Sequence, residues 1–402
     1  SEEDFEHNIP KWTFSFGQAP VVIINRNETI DIYHGYAFDE EHPQWLQKID
    51  TNFLEYFGID NLILGKTWEK LYERYFKNTP TVDKYLLKNI IDARRLLIAK
   101  DVGGLSAKAA NRLIGRLLFI RYLIDRDVRF SKEPDIQGED IAQRRKSLLA
   151  LLQNQEETYQ FFHSLTNKFN GDLFPLIEKD KKGKIIYDEA NDVRHTPHLD
   201  IIRDLFSGSQ FSLNWGKTHG YTVQRSLFEM YDFAVIPVEL ISNIYENFLG
   251  EAAKKAENQP RNLRDFPQAK QKQIKAYYTP PFLVDYILAQ TVTPHLEQQD
   301  SASCKVLDPA CGSGIFLVET LRKIIAKEMQ VHPVTGAEGK PTILNERLWE
   351  LVHENIFGID IDSDAIEIAI FSLYITLLDY KTPIEIEEFN FDKLKGINFF
   401  GG

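Results

Sequence analysis

Cysteine is almost missing from this chain. Its only two, Cys304 and Cys311, make neither a disulfide framework nor a zinc set, which supports a reducing, cytoplasmic setting. Positive charge is short as well. Lys and Arg number 47 against 59 Asp and Glu, a net charge of -12 that excludes a uniformly basic nucleic-acid coat but not a local basic groove. No apolar run is long enough to span a bilayer, so no membrane partner is expected. The first residues, Ser-Glu-Glu-Asp-Phe-Glu-His, lack the basic and apolar regions of a signal peptide. Internal repeats and low-complexity tracts are absent too. What is present is globular in character: 402 residues, 43% of them hydrophobic, suffice for two or three domains with ordinary cores.

One stretch carries most of the chemistry, Val306-Leu-Asp-Pro-Ala-Cys-Gly-Ser-Gly-Ile-Phe-Leu317. A short apolar run leads into a small-residue turn, Asp308 to Gly314, and an apolar helix start follows. Strand, glycine turn and helix in that order form a pocket for a polar cofactor. Gly312 and Gly314 let a ligand approach the backbone closely. The N–H groups of the turn and of the first helical turn can hold an anionic group.

The flanks fit this pattern. Residues 315–329 and 344–353 read as helices, and Asn355-Ile-Phe-Gly-Ile-Asp-Ile361 as a second buried strand ending in Asp360. A helix over 364–378 follows, capped by Asp362 or Ser363, and residues 395–402 suggest a third strand. In nucleotide-type folds an acid at the end of the second strand accepts hydrogen bonds from a ribose diol, and Asp360 sits there. Upstream, in Ala276-Tyr-Tyr-Thr-Pro-Pro-Phe282, Thr279 can cap a helix that starts at Pro280. Thr279 and its neighbouring backbone are also placed to bind a carboxylate or amine, and capping alone leaves the paired tyrosines unexplained.

The ligand can be narrowed. A nicotinamide fingerprint needs a third glycine where Leu317 stands, and a P-loop needs a Lys-Ser/Thr that is absent. What remains suits S-adenosylmethionine. Its ammonium wants an acid such as Asp308, its carboxylate wants N–H groups, its ribose wants Asp360, and its adenine wants apolar neighbours such as Ile361 and Phe316.

The rest of the chain is less specific. Val21–Asn25 and Thr29–Tyr33 read as a hairpin, with helices predicted over 42–57 and 67–76. A nuclease here would need clustered acids with a lysine on adjacent strands; Asp31 and Glu69-Lys70 form no such set. Residues 82–165 show helical periodicity. Within them Arg112, Arg116 and Arg121 lie among apolar residues, where they could touch phosphates or pair with Asp125, Asp127 or another helix; pairing is favoured. Residues 179–184 form a lysine-rich turn between strands, read as solvated. His195 and His198 have ligand spacing, but Pro197 intervenes and nothing completes a metal site. Residues 237–249 read as a helix. Between Ala252 and Lys275 stand Lys254, Lys255, Arg261, Arg264, Lys270, Lys272 and Lys275 against Glu257 and Asp265, which is either a phosphate-contacting strip or a solvated linker.

The motif trio resembles a known family. DPACGSGIFL resembles the first cofactor motif of amino-group DNA methyltransferases, the N6-adenine class in particular; AYYTPP resembles the motif ahead of it, and FGIDIDSDAIEIA the second. YDFAVIPVELISNIYENFL and ANRLIGRLLFIRYLIDRDV look like the helical region of large restriction–modification (type II, subtype G-like) and phage-defence adenine methylases. The resemblance implies cofactor contacts at Tyr277, Tyr278, Thr279, Pro280, Asp308, Pro309, Ala310, Cys311, Gly312, Gly314, Phe316, Leu317, Asp360 and Ile361. It implies an α/β plus all-α architecture. An N-terminal α/β region of unassigned role covers 1–80 and a mainly helical domain 81–250. A basic linker spans 251–275, and an incomplete Rossmann-like class I S-adenosylmethionine-dependent methyltransferase core spans 276–402.

Two departures shape the expectation. Lys275 stands where the family has glycine. The catalytic Asn/Asp-Pro-Pro-aromatic loop is missing, and Thr279-Pro-Pro-Phe282 lacks the amide and precedes the cofactor motif. The loop and a target-recognition domain are expected beyond residue 402, so these residues alone should be inactive. The resemblance thus implies an adenine-specific DNA methyltransferase of a restriction–modification or antiphage system, working with DNA and with other defence-system subunits. The alternatives are a non-catalytic cofactor-binding scaffold or specificity component, and a methyltransferase acting on RNA or protein.

Overall fold

The computed structural model describes residues 19–26, 29–38, 46–77, 82–130, 136–169, 175–180, 182–207, 231–234, 279, 281–336, 339 and 341–401, together with Ile9 and Thr13. The chain divides into two compact units, one formed by residues 1–90 and 205–237, the other by 91–204 and 238–402.

In the first unit, β1 (Val21–Arg26) and β2 (Thr29–Phe38) form the expected hairpin, in register from Val21 opposite His34 to Arg26 opposite Thr29. Among the described residues, the helix predicted over 42–57 is found only as a 3-10 helix at Thr51–Phe57; Leu46–Lys48 is instead a third strand, β3, antiparallel to β2. Leu46 and Ile49 are both buried, and their three-residue spacing mimics a helical face. The Ile49 N–H, however, donates to the Ile32 carbonyl at 2.8 Å. Pairing with a distant strand overrides the local pattern. Ile32 and Ile49 then close a small core with Leu71 and Phe76.

Helices α1 (Val82–Ile98), α2 (Ala107–Asp125), α3 (Ile141–Leu151) and α4 (Gln155–Phe169) occupy the stretch of helical periodicity, and α5 (Asp200–Ser207), for which no helix was expected, comes after them. Ser106 caps α2 by accepting from the Ala109 N–H at 3.1 Å. Between α4 and α5 lies a two-stranded antiparallel ribbon, β4 (Ile177–Lys179) and β5 (Ile185–Asp188). Almost the whole of α2 is buried, on every face, so it is the axis of the second unit.

Downstream come α6 (Pro281–Gln290), α7 (Val292–Glu297), β6 (Val306–Asp308), α8 (Ile315–Val331), the small pair β7 (Val334–Thr335) and β8 (Pro341–Thr342), α9 (Asn345–Asn355), β9 (Ile356–Asp360), α10 (Ser363–Leu378) and β10 (Phe399–Gly401). Strands β6, β9 and β10 form a parallel sheet in the order β10-β9-β6, with Asp308 opposite Gly358 and Phe399 opposite Gly358. Parallel strands need crossovers, and α8 with α9, then α10, supply them. Helical and sheet regions share one core here: Phe119 of α2 meets Phe169, Phe371 and Phe391 at 5.6 to 6.1 Å between ring centroids, and Phe391 stacks on Tyr374 of α10 at 4.3 Å.

Candidate cofactor site

Asp308 closes β6 and Asp360 closes the neighbouring strand β9, so two carboxylates stand at the carboxyl edge of the parallel sheet, where open α/β sheets take their ligands. The glycine turn is bonded onto this edge. The Cys311 N–H donates to the Ile359 carbonyl at 3.0 Å, and the Gly312 N–H to Asp360 Oδ2 at 2.9 Å. Both Gly312 (φ 52°) and Gly314 (φ 83°) are left-handed. Gly314 is required twice over, because a Cβ there would also lie 3.0 Å from the Ala369 Cβ of α10.

The turn's own donors leave little room for an anion. The Ala310 N–H is taken by Asp308 Oδ1 at 3.1 Å, Cys311 by Ile359, Gly312 by Asp360, and Gly314 by the Cys311 carbonyl at 2.8 Å. The turn's amides are thus largely engaged within the protein, contrary to the expectation that they face the ligand. The first turn of α8 is different. No side chain caps it, and the Gly314 carbonyl accepts from Val318. The N–H groups of Ile315, Phe316 and Leu317 therefore lack intrahelical acceptors, and this 17-residue helix presents its positive end to the sheet edge.

Asp360 is half-buried and accepts twice, from Gly312 at Oδ2 and from the Asp362 N–H at Oδ1, 2.9 Å each. Each carboxylate oxygen keeps a second lone-pair direction, enough for a diol. Between the acids lies buried Cys311. Burial, and then the charges of Asp308 and Asp360, push its thiol up to about 12. A raised thiol value keeps the group neutral at every pH below it, and only the thiolate is nucleophilic. Burial raises Cys304 as well. Neither cysteine of the folded protein is therefore expected to react with iodoacetamide at pH 8, whereas both should after unfolding. Mass spectrometry reads this directly, and rapid labelling of folded Cys311 would contradict the geometry.

The remaining candidates sit as follows. Thr279 and Phe316 are half-buried, Pro309 and Ala310 are exposed, Leu317 is fully buried, and Ile361 is 91% exposed beside Asp360. Tyr277, Tyr278, Pro280 and the basic residues Lys254, Lys255, Arg261, Arg264, Lys270, Lys272 and Lys275 lie outside the described residues.

The three arginines of α2 are buried and paired. Arg112 meets Glu178 at 2.7 Å, Arg116 meets Glu189 at 2.6 Å, and Arg121 meets Asp125 at 2.9 Å. Glu189 lies on another helix and Asp125 on the same one, both as expected, whereas Glu178 stands on a strand and was not among the expected partners. His198 is buried, its Nδ1 accepting from the Arg194 N–H and its Nε2 donating to the Gly103 carbonyl, so both nitrogens serve the backbone. Asp31 pairs with Lys48 on the adjacent strand, and among the described residues no cluster of His, Cys, Asp and Glu could hold a metal.

Residues 293–395 match the family model described as "MmeI, DNA-methyltransferase domain". The chain is 24% identical over 367 residues to the type II restriction enzyme and methyltransferase RM.Eco57I of Escherichia coli, covering 83% of this chain and 32% of that protein. It is 26% identical over 115 residues to the adenine-specific methyltransferase PglX of Streptomyces coelicolor, covering 29% of this chain and 9% of PglX. To the type I restriction enzyme HindI methylase subunit of Haemophilus influenzae it is 32% identical over 128 residues, covering 31% of this chain and 23% of the subunit. The chain spans a third or less of the length of these relatives. These matches support kinship with the large restriction–modification-type family of adenine methyltransferases.

Proposed function

We propose that this chain holds S-adenosylmethionine for an N6-adenine DNA methyltransferase of a restriction–modification or antiphage system. The observation that carries the reading is the carboxylate pair at adjacent strand ends, Asp308 and Asp360, with the left-handed glycine turn bonded to Asp360 and the uncapped start of α8 beside it. The donor set fits that cofactor. Asp308 would take the ammonium, the free N–H groups of Ile315, Phe316 and Leu317 the carboxylate, Asp360 the ribose diol, and Ile361 with Phe316 the adenine. The bound cofactor supplies an electrophilic methyl group on a sulfonium.

The parallel order β10-β9-β6, with helices following β6 and β9, corresponds to part of a class I methyltransferase sheet in this reading. Leu307, Ile359 and Phe400 leave one face of the sheet bare, as suits a core that is covered by further elements. The Asn/Asp-Pro-Pro-aromatic loop that would select and activate the adenine amine is not in these residues, so these residues alone would be inactive. The basic strip of residues 252–275 would lie on DNA. The protein would act in the cytoplasm, and among the described residues no helix is long and apolar enough to cross a membrane.

Saturable binding of S-adenosylmethionine to this chain by calorimetry is the expected result. With the protein as its gene encodes it, labelled methyl should pass to adenine in duplex DNA. Binding without turnover would favour a scaffold, and turnover on RNA or protein but not DNA would replace the substrate.

A further inference from the structure

The β4–β5 ribbon is rigidly mounted at its base and bare at its tip. At the base Glu178 is held by Lys108 at 2.6 Å and Arg112 at 2.7 Å, Leu176 is buried, and Glu189 is locked to Arg116. At the tip Asp180 organises the turn. Its Oδ1 accepts from the N–H groups of Lys182 and Lys184 at 2.8 and 2.9 Å, its N–H donates to the Lys184 carbonyl, and the Gly183 N–H returns to the Asp180 carbonyl. Gly183 takes the left-handed conformation this turn needs, φ 81°. Every acid on the ribbon is therefore engaged locally, Glu178 and Asp180 as described and Asp188 in capping the Ala190 N–H at 3.1 Å.

The lysines are the opposite case. Lys179, Lys182 and Lys184 are exposed, and among the described residues none of them is in an ion pair. Beside them Ile185 and Ile186 are 51% and 62% exposed. Glu178 pairs with Tyr187 and Lys179 with Ile185, so Ile186 is the extra residue of a bulge, a device that re-aims side chains. A merely solvated turn accounts for the lysines but not for two β-branched apolar residues projected next to them.

We propose that the tip of this ribbon is a contact surface for duplex DNA, with Lys179, Lys182 and Lys184 against phosphates and Ile185 and Ile186 at the groove. The proposal rests on the reading of the chain as a DNA methyltransferase and places a contact on residues which that reading does not use. A two-stranded ribbon fits the major groove of a duplex. In a chain of net charge -12, a projecting tip whose acid is already engaged is complementary to a phosphate backbone. Its fixed base means that little ordering opposes binding.

The test uses the whole 402-residue chain and a fluorescein-labelled duplex of about 30 base pairs, with anisotropy measured across a salt series. The triple variant Lys179→Ala/Lys182→Ala/Lys184→Ala is expected to bind at least tenfold more weakly at low salt. Its plot of log affinity against log salt should flatten by about 3, near 0.9 for each phosphate that is no longer neutralised. Ile185→Ser/Ile186→Ser should weaken binding and leave that slope unchanged. Equal affinity and slope in the triple variant, or no duplex binding by the unmodified chain, overturns the proposal. Equal loss on a double-stranded RNA of the same length overturns the commitment to DNA. Calorimetry with S-adenosylmethionine on the same samples separates the two readings, because these substitutions should leave cofactor affinity unchanged; cofactor binding without ribbon-dependent DNA binding sinks only the ribbon.

Discussion

Truncation of Glu189 to alanine is expected to destabilise the second unit by about 3–5 kcal/mol, the usual consequence of removing one partner from a buried ion pair. Glu189 is fully buried. It accepts from Arg116 through both oxygens, at 2.6 and 3.2 Å, and from the Tyr159 hydroxyl at 3.0 Å. Burial first, and the Glu189 charge second, push the Tyr159 hydroxyl far up, so it stays neutral and donates. Arg116 also lies over the Phe162 ring, 4.9 Å from its centroid. Without the carboxylate, the guanidinium keeps its burial and loses its counter-charge. Arg116→Met together with Glu189→Leu removes both charges and is expected to recover a large part of the loss, because most of the cost is the uncompensated charge and not the pair's net contribution. The midpoint of urea unfolding measures both variants. An unchanged midpoint in Glu189→Ala would show that the pair contributes little.

This pair also shows where the sequence stops informing. That α2 is a buried helix was legible, since its apolar residues recur at helical spacing, and arginines among them demanded partners. Which partner was not legible. Glu189 is 73 residues away, at the start of a four-residue helix, and only the tertiary fold brings it to Arg116. The parallel sheet was readable because its strands are short apolar runs bounded by glycine and acid, so Val306, Asp308 and Asp360 fell where expected. The strand at Leu46–Lys48 was not, because two buried residues three apart look alike in a helix and beside a turn. The glycine turn was legible in its type and misread in its wiring. Glycines announce close approach, but whether an amide faces a ligand or a neighbouring carboxylate depends on β9 lying alongside, a long-range fact.

The wiring bears directly on the largest functional effect expected. Asp360→Ala should weaken S-adenosylmethionine binding at least tenfold, about 1.4 kcal/mol or more. Two losses combine in that variant. The ribose diol loses its acceptors, and the N–H groups of Gly312 and Asp362 lose theirs, which loosens the turn that places the first amides of α8. The two are separable. A cofactor analogue lacking one ribose hydroxyl should bind the unmodified protein more weakly than the parent compound. If Asp360 contacts the diol, Asp360→Ala should bind parent and analogue alike, because the group that tells them apart is gone. If Asp360 only braces the turn, the preference for the parent survives at lower overall affinity. Asp360→Asn refines the result. Its amide keeps one acceptor oxygen where the carboxylate used two, so it can satisfy Gly312 or Asp362 but not both. The ligand-free melting temperature should then fall in the order unmodified, Asp360→Asn, Asp360→Ala, while the hydroxyl preference reports on the diol alone. Unchanged affinity in Asp360→Ala would remove the ribose from this carboxylate and, with it, the main support for the cofactor assignment.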